Sequence, residues 1–312
     1  MTRSVFILIL CLFTFVTGHG QQDVYLYSYF KGNGEDGLHI AYSRDGLSFT
    51  ALNNDMSFLT PAVGVSKLMR DPCIIQTPDG IFHMVWTAGW TERGIGYANS
   101  RDLINWSDQK YIMVMEKEPE ARNCWAPEIF YDKRGKQFLI FWSTTIPGRF
   151  PETEKTGDSG YNHRKYFTTT RDFETFSETR LFYDRGFNVI DGTIIRSKGK
   201  YIMFVKDETR TPPEKNIRVT SSRSLYGPYS DPSPPITGNY WAEGPSAIRI
   251  GKTWYLYFDK YTERKMGALI SKDLIRWEDI SDSVTFPDGV RHGTIFSVDE
   301  TILERLLELS EK

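Results

Sequence analysis

The chain has 312 residues, a formal net charge of −2, 25 % charged residues and 14 % aromatics. This near-neutral balance excludes a basic nucleic-acid binder, and the apolar content excludes a disordered chain. A chain of this length buries enough surface to fold without a disulfide framework. Cys73 and Cys124 therefore read as buried free thiols in preference to a pair.

Arg3 is followed by an apolar run, residues 5–16, and then by Thr17-Gly18-His19-Gly20. Charge, length and small exit residues are those of a secretory signal peptide over residues 1–20, and the run is short for a bilayer span. The expectation is a secreted or periplasmic protein whose mature chain starts near Gln21 and has no membrane span of its own.

Beyond that point short β-rich runs follow turn dipeptides. Asp79-Gly80, Gly135-Lys136, Gly199-Lys200 and Gly251-Lys252 precede strands at 81–86, 137–142, 201–205 and 253–258, and 24–30 has the same aromatic texture. Each copy then ends a strand on a hydroxyl residue and a basic one: Ser43-Arg44, Ser100-Arg101, Thr170-Arg171, Ser222-Arg223 and Ser271-Lys272. An aromatic closes each unit, at Phe49, Trp106, Phe176, Tyr229 and Trp277. Five such copies have the spacing of propeller blades. Four begin with an additional strand, at 70–75, 127–131, 191–195 and 244–249, which the N-terminal copy lacks and 292–298 supplies. The predicted fold is an all-β, five-bladed propeller, one catalytic domain over residues 21–312, closed by pairing of N- and C-terminal strands. Ile302, Leu303, Leu306 and Leu307 recur at helical period and predict a short C-terminal helix.

The first strand of each blade lines a propeller axis. Those strands start with Asp71, Glu128, Asp191 and Glu243, and the fifth with His292. Taken as equivalent positions, they converge on one funnel, where like-charged acids are costly and so point to function. Carboxylates pushed to different pKa values suit glycoside hydrolysis, one activating water and another protonating the leaving oxygen. Inversion needs the two about 6.5–9.5 Å apart. A non-catalytic sugar-binding propeller is the competing reading, but it has no need of a paired acid and base.

Trp90, Trp125 and Trp241 flank these motifs and offer faces to a sugar ring. Arg70 and Arg291 can bind hydroxyls or pair with the acids, and His292 can orient a water or a cation. The polar insertion 144–164, rich in Pro and Gly, predicts a rim loop that favours a pocket and exo-cleavage.

The order Arg70-Asp71-Pro72, the segment 100–106, Trp125-Ala126-Pro127-Glu128, Ile190-Asp191-Gly192, Glu243-Gly244-Pro245 and Arg291-His292-Gly293 resembles glycoside hydrolase family 43. The resemblance implies a five-bladed propeller and inversion without a covalent intermediate. It implies Asp71 as general base, Asp191 as pKa modulator and Glu243 as general acid, with Glu128 in reserve as base. Two departures stand out: Glu128 occupies a position where many members have Asp, and about 45 residues of β segment precede Asp71. The implied activity is removal of terminal sugars from oligosaccharide or polysaccharide side chains, by an α-L-arabinofuranosidase or β-xylosidase. A galactosidase or galactofuranosidase and a retaining fructosidase-like enzyme are alternatives. No cofactor is required; the resemblance allows a structural calcium ion in the central channel, although no acidic calcium-loop pattern is present. The motifs are silent on oligomeric state.

Overall fold

The computed structural model describes residues 24–309, so the expected signal segment lies outside the described residues. Among the described residues nineteen strands form five antiparallel sheets. In the first blade Thr294–Val298 is innermost and pairs with Val24–Tyr29, from Val24↔Val298 to Ser28↔Thr294. His39–Ser43 and Thr50–Ala51 complete it. The other inner strands are Arg70–Gln76, Trp125–Asp132, Val189–Ser197 and Glu243–Ile250. Each packs against the next, and the last against Thr294–Val298, so the ring closes with both chain ends in one blade. Closure covers the inner strands and leaves each blade only a short outer edge, which limits aggregation.

The repeated hydroxyl–basic–acidic motif has a local cause. Ser100 Oγ accepts the backbone N–H of Asp102 and Leu103, and Asp102 Oδ1 accepts those of Ile104 and Asn105. The same pattern recurs at Ser43/Asp45, Thr170/Asp172 and Ser271/Asp273. In the second and third blades the motif folds a turn that places an apolar side chain, Leu103 or Phe173, against the preceding blade. The repeat is therefore scaffold.

Five apolar clusters fill the five gaps between neighbouring blades. The short helix Glu300–Leu307 adds Leu303 and Leu306 to the cluster between the first two blades, and Arg44 grips Glu300 at 2.5 and 2.6 Å. No helix among the described residues is long and apolar enough to cross a membrane. Cys73 and Cys124 are buried free thiols in one cluster.

The fourth blade has three strands, not four. Its outer segment holds Pro228, Pro232, Pro234 and Pro235, which lack the N–H a ladder needs. Only Ser230, Ser233 and Ile236 donate to the neighbouring strand, at 2.8–2.9 Å.

Candidate active site

Each inner strand of blades two to five opens with a β-bulge. The register slips between Arg70 and Cys73, between Trp125 and Glu128, between Ile190 and Gly192, and between Glu243 and Ser246. At the bulge Asp71, Ala126, Asp191 and Gly244 all take a left-handed backbone, with φ of 52°, 45°, 45° and 60°. For the three that are not glycine this costs on the order of 1–3 kcal/mol each. The bulge re-aims side chains at the start of the strand. Gly244 is required twice over: its φ is positive, and a Cβ there would stand 2.3 Å from the His292 ring.

This register corrects the expectation of equivalent acidic positions. Asp71 and Asp191 occupy the bulge itself. Glu243 lies one residue before it, level with Arg70, Trp125 and Ile190. Glu128 lies two residues after it, level with Cys73, Thr193 and Ser246. A bulge adds a residue without any signature that sequence spacing reveals.

His292 organises the centre. Its Nδ1 is 3.4 Å from Asp71 Oδ1 and 3.9 Å from Asp191 Oδ2. Burial works against the imidazolium, but Asp191, Asp71 and Glu243 together raise its pKa to about 9. Burial also pushes Asp71 up, yet His292, Arg70 and a 2.8 Å hydrogen bond from Thr87 Oγ1 outweigh it and leave Asp71 at about 2. Thr87 in turn accepts the N–H of Ala126 at 2.8 Å and so ties the second blade to the third. Asp191 Oδ2 accepts the N–H of Gly244 at 2.9 Å; burial and the charges of Glu243 and Asp71 raise its pKa against His292 and Lys206.

Glu243 is held from both sides. Lys206 Nζ donates to Oε2 at 3.1 Å and Arg291 Nη2 to Oε1 at 3.2 Å. Burial opposes ionisation, but Lys206, Arg291 and His292 prevail and lower its pKa. Arg291 Nε also donates to Asp259 Oδ2 at 2.6 Å. Arg291 and His292 are adjacent in sequence, so one short segment grips Glu243 with one residue and Asp71 with the next.

Glu128 is placed differently. It is buried near Thr193 and Cys73, and burial raises its pKa to about 7 against the pull of His292 and Lys165. It borders a cavity of about 410 Å³ lined by the inner strands from Cys73, Thr193, Ser246 and Thr294 onward, beyond the bulge residues. A cleft of about 780 Å³ lies between the outer edges of blades two and three and touches none of these acids.

The tryptophans fall on two sides. Trp90, 44 % exposed, meets Trp125 edge-on at 5.4 Å, and Arg70 lies 4.2 Å from the Trp90 ring. Trp125 contacts Tyr161 of the insertion at 4.6 Å. Trp241 stands with Tyr261 at 5.9 Å, near Arg210 and Lys215. The insertion leaves one strand at Thr145, makes two short turns, Pro151–Thr153 and Asp158–Gly160, and re-enters at His163.

Sequence reasoning missed Thr87, Lys206, Glu208, Lys215 and Asp259. A signal existed. Thr87 ends its apolar second strand, Lys206 and Asp259 stand next to last in theirs, and the three are register partners of Arg70, Ile190 and Glu243. A polar residue closing an otherwise buried strand marks the rim of the funnel. Among the described residues no group of three or more His, Cys, Asp or Glu side chains is placed to hold a metal ion. His292, cationic between two carboxylates, makes the centre a poor cation site, so these residues do not fit the calcium ion.

Residues 21–304 match the family 43-related model described as "Probable glycosyl hydrolase domain". The chain belongs to this glycoside hydrolase family. A curated relative, the α-L-arabinofuranosidase of Bifidobacterium longum subsp. longum, is 25 % identical over 83 % of this chain; the chain spans 31 % of that relative's length. A solved thermostable family-43 glycoside hydrolase shares the fold with a TM-score of 0.55 at 15 % identity, over 73 % of this chain and 81 % of the other. The α-L-arabinofuranosidase from Lactobacillus brevis does so with a TM-score of 0.53 at 15 % identity, over 68 % and 72 %. Solved exo-β-1,3-galactanases are also among the structures of this fold.

Proposed function

We propose that the protein is an inverting, exo-acting glycosidase that removes terminal sugars from oligosaccharide or polysaccharide side chains outside the cytoplasm. The observation that carries this reading is the grip of consecutive residues, Arg291 and His292, on Glu243 and Asp71. It gathers two carboxylates of opposite task around one point.

Asp71 is ionised at any working pH and is fixed by Thr87 and His292, so it suits the role of orienting water and taking its proton. Glu243 takes the role of proton donor to the leaving oxygen although Lys206 and Arg291 favour its ionised form, and the charge of Asp191 opposes that pull. Water attacks the anomeric carbon, the glycosidic bond breaks, and the proton from Glu243 goes to the leaving oxygen. Trp90 and Trp125 supply a stacking wall, with Trp241 across the funnel; Arg70 and Arg291 supply hydroxyl donors. The insertion, packed against Trp125 and paired with blade four, closes one side and favours release of single sugars.

The Bifidobacterium relative makes α-L-arabinofuranoside the first substrate to test, with β-xyloside and galactoside next. NMR of the fresh product on a panel of aryl arabinofuranosides, xylosides and galactosides tests the whole reading. The expected result is release of one sugar class with inverted anomeric configuration. Retention, or binding without turnover across the panel, would overturn it.

A further inference from the structure

Glu243 belongs to a longer array. Arg210 Nε lies 3.2 Å from Asp158 Oδ1, and Asp158 Oδ2 lies 2.7 Å from Lys215 Nζ. Lys215 also grips Glu208. The other oxygen of Glu208 is 2.6 Å from Lys206 Nζ, which reaches Glu243 at 3.1 Å. Arg291 and Asp259 complete the series. Charges alternate without a break from the half-exposed rim to the core: Arg210, Asp158, Lys215, Glu208, Lys206, Glu243, Arg291, Asp259. Lys206 and Lys215 are 1 % and 2 % exposed, so water screens these pairs little. Each partner's grip then depends on how its neighbour is shared.

We propose that Lys206 is a positioning residue for Glu243, and that Glu208, backed by Lys215 and Asp158 on the rim loop, tempers its hold so that Glu243 can be protonated during turnover. Lys206 serving Glu243 alone would fix the carboxylate and leave it unable to carry a proton. Sharing Lys206 with Glu208 divides that charge. The groups that face Glu243 are Lys206 and Asp191 from blade four, Arg291 and His292 from the segment before blade one, and Asp259 and Tyr261 from its own blade.

The inference rests on Glu243 as proton donor, and the two fail separately. Fully retained activity in Glu243→Gln on a glycoside with a poor leaving group sinks the donor role. The inference is read without turnover, by ¹³C NMR titration of the Glu243 carboxyl, assigned by its loss in Glu243→Gln. Lys206→Met should raise its midpoint by about one pH unit or more, and Lys206→Arg should restore it. Glu208→Gln should lower it, and Asp158→Asn should lower it less. The alkaline limb of kcat/KM should move in the same directions. Because the sign alternates along the series, a scaffold role predicts a changed Tm without opposite shifts. Unmoved midpoints, or shifts of one sign in Lys206→Met and Glu208→Gln, would overturn the proposal. Should Lys206→Met not fold, Glu208→Gln and the half-exposed Asp158→Asn carry the same test.

Discussion

The imidazole of His292 stands 3.4 Å from the carboxylate of Asp71. Both are buried, and the charges of Asp191, Asp71 and Glu243 outweigh the desolvation of His292 while His292, Arg70 and Thr87 outweigh that of Asp71. The His292 pKa is raised above its unfolded value, so the stability it confers is fully present below about pH 6.5 and is lost as pH rises through about 9. The amount is on the order of 3 kcal/mol. Urea denaturation of the wild type should show a falling midpoint across that window, and His292→Gln should flatten this part of the curve.

Glu128 acts in the same direction but for a different reason, burial of a carboxyl instead of attraction between charges. Its pKa is raised to about 7 by burial, so the folded state holds its proton more tightly than the unfolded one. Stability should fall as pH climbs from about 4.5 to 7, and Glu128→Gln should remove that slope. The same variant should keep kcat/KM within about threefold, because Glu128 sits two residues past the bulge, beside Thr193 and Cys73 and not level with Asp71 and Asp191. A collapse of activity in a well-folded Glu128→Gln would return this residue to the reserve role of base.

Asp71→Asn keeps the shape of the side chain and its contact with Thr87 but removes the base. We expect kcat/KM to fall by about 10²–10⁴-fold with a native circular dichroism spectrum. Glu243→Gln should fall comparably on substrates with poor leaving groups. It should fall much less on aryl glycosides whose leaving group needs no proton.

Trp90 is exposed on one face and backed by Arg70. Trp90→Ala should raise KM about 5–10-fold with kcat changed less than about twofold, the signature of lost ground-state stacking. Steady-state kinetics on the best aryl glycoside decides this.

The blade repeat was legible because each copy must solve the same local problem. A Ser or Thr followed by Asp folds the same turn wherever it occurs, and the chain shows it at Ser43, Ser100, Thr170 and Ser271. The missing first strand of the N-terminal copy announced closure by 292–298, and the pairing of Val24 with Val298 realises it. The fourth strand of blade four was overcounted because its prolines interrupt the ladder. Glu128 reads as level with Asp71 when the acid marks each strand start, whereas the matching bulges put Ala126 level with Asp71 and Glu128 two residues beyond.

The sequence by itself determined the ring, its five units and the convergence of their starts, since turn chemistry and alternating apolar residues act over a few neighbours. Only the tertiary structure decided which acids share a partner, which one lies deeper, and that Lys206, Glu208 and Lys215 link Glu243 to the rim. Those relations depend on charges brought within a few ångströms from distant parts of the chain, where burial and Coulomb attraction set protonation, and neither quantity is written in local order.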